Sequence, residues 1–162
     1  MPQTNLNTMA NVVLVDPLEK SVRRANLSIQ EIREWIGCDL LEIVRCGNDT
    51  LLWIDEEGML RNEPTLWVLA GRQLIAGKAV FSGEGLEDEG FGDVGIPGEV
   101  LACSVTWIPE RLQASARDSV PLGGFYLFGD KEGEARAKRR AEEGIFSATM
   151  LAIQGEGAEF IG

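Results

Sequence analysis

The chain is predicted to be α+β, with a mixed, mostly antiparallel sheet, one amphipathic helix packed on it and a C-terminal helix. Three observations predict this class. A reciprocal helix-start signature stands at Ser28-Ile-Gln-Glu31, with apolar positions at helical spacing behind it. Short strand-like runs on either side of Gly47-Asn48-Asp49 read as a hairpin. A stretch rich in Ala, Glu, Lys and Arg, from Glu132 to Glu143, reads as a second helix.

Residues 1–10 are polar and expected to be flexible, and 11–162 are expected to form a single domain. Asn11-Val-Val-Leu-Val15 is a continuous apolar run stopped by Asp16-Pro17, the pattern of a strand buried on both faces. Lys20 to Leu27 follows as an edge-like strand and carries Arg23 and Arg24. Ser28 then caps a helix in which Ile29, Ile32, Trp35 and Ile36 share one face, and Gly37 supplies the left-handed residue past its end.

Leu40–Arg45 and Leu51–Ile54 should pair as an antiparallel hairpin. Asp55 to Gly58 reads as a tight turn, with Gly58 suited to positive φ. Glu63-Pro64-Thr65 suggests a short helical or irregular start to Leu66–Leu69. Gly71 and Gly77 bracket the next segment, and Lys78–Phe81 reads as a core strand.

Residues 82–98 form an acidic, Gly-rich loop. Glu87, Asp88, Glu89 and Asp93 lack the alternating spacing of a calcium loop, and no Gly-Lys-Ser/Thr ending marks a phosphate loop. Leu86, Phe91 and Ile96 are apolar residues in this otherwise solvated stretch, which makes it a candidate partner contact. Val100–Ile108, between Gly98 and Pro109, reads as one strand that extends the sheet. A helical turn is expected at Glu110–Arg117, an aromatic strand or loop at Gly123–Gly129, and strand-like segments from Ile145 to Ile161.

Composition narrows the function classes. The chain contains no histidine, which excludes Ser-His-Asp and Cys-His catalysis and histidine-ligated metal. Cys38, Cys46 and Cys103 are an odd set at irregular spacing, expected as reduced and mostly buried thiols rather than a disulfide framework or zinc site. The net charge of −11 disfavours direct nucleic-acid binding and favours basic partners. No apolar run is long enough to span a bilayer, and the first residues lack a secretion signal, so a cytoplasmic location is expected. No catalytic residue, cofactor or metal is assigned, and an enzyme is the least expected class.

The segments Val12-Val-Leu-Val-Asp-Pro17, Leu41-Glu-Ile-Val44, Trp53-Ile-Asp-Glu-Glu-Gly58 and Leu74-Ile-Ala-Gly-Lys-Ala-Val80 together resemble the DUF3846 family over about residues 11–83. The resemblance implies a phage or mobile-element setting, and the host cell's cytoplasm as location. It implies a fold but no reaction, and the region after Gly83 departs from its pattern.

Two functions are therefore expected. The first is a non-enzymatic accessory protein that binds a host protein with a basic surface, possible inhibition of host defence included. Glu87, Asp88, Glu89, Phe91 and Asp93 would make that contact. The alternative is a nucleotide-binding or sequestering protein. There Arg23, Arg24, Arg72 and Lys78 would meet phosphates while Trp53 or Trp67 stacks a base, in a cleft or between subunits of a homo-oligomer.

Overall fold

A computed structural model describes residues 7–85, 90–119 and 131–162. The early apolar run becomes β1 (Ala10–Asp16), and β2 (Ser21–Leu27) pairs with it antiparallel along its whole length. Both faces of β1 are buried, and each meets a different layer. Val12 and Leu14 lie under the first helix, whereas Val13 and Val15 face a second sheet.

That helix, α1 (Ile29–Ile36), forms because its ends are satisfied locally. Glu31 N–H donates to Ser28 Oγ at 3.2 Å, and Ser28 N–H donates to Glu31 Oε1 at 3.2 Å. Gly37 adopts φ 80° and closes the helix by donating to Arg33 O. Ile29 and Ile32 are buried among Ala10, Leu51, Trp53 and Val80, so α1 covers the outer face of the first sheet.

The hairpin is β3 (Leu41–Gly47) and β4 (Thr50–Asp55), with Asn48 and Asp49 both at positive φ in its turn. A 3₁₀ turn at Gly58–Leu60 follows. Gly58 is not among the residues at positive φ. Its requirement is proximity instead, because a Cβ there would stand 3.1 Å from Ala76 O and 3.3 Å from Ala76 Cβ. Then come β5 (Leu66–Leu69), β6 (Gln73–Ala76) and β7 (Ala79–Gly83), with an irregular approach to β5 in which Glu63 has φ 47°.

Val100–Ile108 is not one strand. Its first part belongs to a short helix, α2 (Gly98–Cys103), and only β8 (Val105–Trp107) is extended. Pro97 O accepts from the N–H groups of Val100 and Leu101, and helical geometry then turns Leu101 and Ala102 inward while Val100 and Cys103 face out. A helix, α3 (Glu110–Asp118), follows as expected.

The second long helix continues through the region expected as strand: α4 runs Lys131–Gln154. Ala148, Leu151 and Ala152 recur at helical spacing on its buried face. Only β9 (Glu156–Gly157) and β10 (Phe160–Ile161) are extended at the C-terminus. The aromatic segment at 123–129, including Tyr126, lies outside the described residues, as does residue 1–6 of the N-terminal tail.

The described strands form two sheets rather than one. The first has six strands in the order β10-β2-β1-β7-β4-β3, mixed because β10 joins β2 in parallel; the second has four antiparallel strands in the order β6-β5-β8-β9. Val13, Val15, Leu52 and Phe81 of the first sheet pack against Trp67, Leu69, Val105 and Trp107 of the second. The other face of β5, Leu66 and Val68, packs on Ile108, Ala116, Ala148 and Leu151. The layers are thus α1, first sheet, second sheet, and α3 with α4. This is α+β, with an additional sheet between the first sheet and the C-terminal helix.

Candidate functional site

The acidic loop leaves β7 and returns under control of the first sheet. Gly83 and Gly92 exchange backbone hydrogen bonds of 2.9 Å in both directions. Asn11 N–H donates to Asp93 Oδ1 at 2.7 Å, and Val94 N–H donates to Asn11 O at 2.9 Å. Phe91 is 3% exposed and stands edge-on to Trp53, with ring centroids 5.9 Å apart. The expected surface anchor is therefore a core residue, because burying an aromatic against α1 and Trp53 is worth more than leaving it in water. Asp93 is exposed but already accepts the Asn11 amide, and Ile96 is half-buried against the inter-sheet core. Leu86, Glu87, Asp88 and Glu89 lie outside the described residues.

The residues expected to hold a nucleotide do not converge. Trp53 is buried and its Nε1–H donates to Ser82 Oγ at 2.8 Å; Trp67 is fully buried and its Nε1–H donates to Gly77 O at 2.9 Å. Neither ring is available to stack a base, because both fill the layers on either side of the first sheet. Arg24 lies over the Phe160 ring at 5.8 Å, beside Arg23 on exposed β2. Lys78 lies over Trp35 at 5.0 Å and donates to Trp35 O at 3.4 Å. Arg72 stands apart from these, in the turn between β5 and β6.

Two other features are assembled by the fold. The first is the outer edge of the six-stranded sheet, where β3 has no neighbour beyond it among the described residues. Leu40 and Ile43 are 55% and 44% exposed there, and Leu60, just past β4, is 80% exposed. Asp39, Glu42, Glu56 and Glu57 are exposed along the same edge and the adjoining turn, where Glu56 N–H donates to Leu40 O at 3.1 Å. Two nearby arginines are already neutralised, Arg45 by Glu84 and Arg61 by Asp55 at 2.9 Å. The edge is therefore apolar and anionic, with an open row of backbone donors and acceptors. Sequence reasoning missed it because strand order is a tertiary fact; exposed Ile43 beside Glu42 was its only local sign.

The second is a cleft of about 600 Å³ opening between the two sheets. Its walls come from β3, β4, β5, β7, α2 and α4, with Arg72 and Gln73 at the β5–β6 turn.

Neither Cys38 nor Cys46 is an activated thiol. Burial, with Asp55 second, pushes the Cys38 thiol up, and desolvation does the same to Cys46 although that residue is exposed overall. All three cysteines are free, but only Cys38 is buried, fewer than expected. Among the described residues no group of three or more Cys, Asp or Glu is placed to hold a metal ion. Among the same residues no helix is long and apolar enough to cross a membrane.

An αββα-layered domain with an open anionic edge and no assembled reaction centre among the described residues is the class that this geometry defines. Residues 9–97 match the family described as Domain of unknown function (DUF3846), and the chain belongs to that family. No curated protein and no solved structure matches it.

Proposed function

We propose that this DUF3846 protein is a non-enzymatic accessory protein of a phage or mobile element that binds a basic host protein, with inhibition of a host defence factor as the outcome. The contact is made at the free β3 edge. The single observation that supports this reading is the coincidence of a strand edge unpaired among the described residues, exposed Leu40 and Ile43, and the Asp39, Glu42, Glu56 and Glu57 carboxylates. An extended, basic segment of the partner adds to the sheet through main-chain hydrogen bonds. The carboxylates speed encounter, and Leu40 and Ile43 take the role first expected of Phe91.

The test is capture of host proteins from lysate by wild type and by two variants that leave the core untouched. Ile43→Lys should abolish capture of the specific partner. The combined Glu42→Gln, Glu56→Gln and Glu57→Gln variant should weaken it and flatten its salt dependence. A partner retained equally by wild type and Ile43→Lys, with both proteins melting alike, would sink the proposal.

A further inference from the structure

The cleft between the sheets has a chemistry of its own; Val44, Arg45 and Cys46 of β3 line it, but Leu40 and Ile43 of the proposed edge contact do not. Leu69, Phe81, Ile96 and Leu101 give it apolar walls drawn from both sheets, the loop return and α2. The polar groups that also face it are occupied. Thr50 Oγ1–H donates to Asn48 O at 3.2 Å, Cys46 Sγ–H to Val44 O at 3.6 Å, and Ser104 Oγ–H to Leu101 O at 2.6 Å. Arg45 is paired with Glu84. One charged lining group is left: the exposed Arg72 guanidinium, which makes no ion pair with any described residue. Gln73 stands next to it.

In a chain of net charge −11, an arginine that no described carboxylate pairs, beside an apolar cleft, is a selective feature. The volume of about 600 Å³ lies in the range that holds small organic ligands. A guanidinium fork matches a carboxylate, and a single free fork matches a single anionic head. Among the described residues, a dianion or a polyphosphate would meet one cation not already paired, and an apolar wall.

We infer that this cleft binds a small amphiphilic monocarboxylate, with its apolar body between Leu69, Phe81 and Leu101 and its carboxylate on Arg72. Ligand entry replaces water on apolar surface, and the charged head stays at the rim, where its desolvation is least.

The experiment is calorimetric titration of the full chain with three ten-carbon probes: decanoate, decanol and decyltrimethylammonium. Decanoate should bind saturably at one site, about tenfold tighter than decanol, with no binding of the cationic probe. Arg72→Ala should remove the difference between decanoate and decanol. Val100→Trp, at a residue 56% exposed on the cleft rim, should weaken both by tenfold or more without lowering the melting temperature. Absence of saturable decanoate binding to wild type overturns the inference. So does equal affinity for decanoate and decanol, or a decanoate affinity unchanged in Arg72→Ala or in a folded Val100→Trp.

Discussion

Gln113 serves Leu66 as a neighbouring strand would. Leu66 N–H donates to Gln113 Oε1 at 2.9 Å, and Gln113 Nε2 donates to Leu66 O at 2.9 Å and to Ile108 O at 3.1 Å. Both residues are buried, at 3% and 1% exposure, so one amide side chain on α3 satisfies the main chain at the start of β5.

Gln113→Ala would leave the Leu66 amide and carbonyl unpaired away from water. Each such group costs roughly 1–3 kcal/mol, so the variant should lose about 3 kcal/mol of stability in urea titration. Gln113→Glu should recover only part of this, because a carboxylate accepts from Leu66 N–H but cannot donate to Leu66 O.

Gly83→Ala should be severe. The added Cβ would lie 2.1 Å from Asp93 O, and backbone cannot yield as a flexible side chain can. Loss of about 2–4 kcal/mol is expected, with faster amide exchange at Gly92. Gly95→Ala, where a Cβ meets nothing within 4 Å, should stay within about 0.5 kcal/mol of wild type.

Ser28→Ala removes the acceptor for Glu31 N–H at the start of α1. A cost of about 1 kcal/mol is expected by thermal or urea unfolding. Ser28→Asp should retain most of the cap but not its packing, since Ser28 is 3% exposed.

Cys38 gives a pH dependence of known sign. Its thiol is held above the usual value of about 8.5 by burial and by Asp55, so the folded state retains the proton more tightly than the unfolded chain. Its contribution is constant below the unfolded pKa and declines as pH rises from there through the folded pKa. Stability should therefore fall more steeply above about pH 8.5 in wild type than in Cys38→Ala. Native-state alkylation should reach Cys103 well before Cys38, as mass spectrometry of iodoacetamide-treated protein would show.

The local signals in the sequence were strong where neighbouring residues determine structure. The Ser28–Glu31 cap, the Gly37 terminus and the Gly47–Asp49 hairpin each depend on contacts within a few positions, and all were legible. Val100–Ile108 and Ile145–Gln154 were misread because short apolar runs fit both periods, and the choice was made by packing. Ala148 and Leu151 are helical because α3 and β5 lie opposite them. Division into two sheets was hidden for the same reason: nothing near Trp67 announces that Val13 will face it. The candidate surfaces were less legible still. The cleft joins Arg72 to Ile145, and the β3 edge exists because no later strand among the described residues pairs there.

The two short strands at the C-terminus sit on opposite sides of the molecule's central seam. β9 joins β8 in one sheet, β10 joins β2 in the other, and Gly155 between α4 and β9 has no room for a Cβ, which would come 2.6 Å from Trp107 O. Seven residues thus stitch together layers whose remaining strands come mostly from the family-matched stretch. That stretch ends at residue 97, so in this chain the family unit is not portable. Cut out alone, it would lose β10 from beside β2 and β8 from beside β5, and open a hydrophobic interior that residues 98–161 otherwise close.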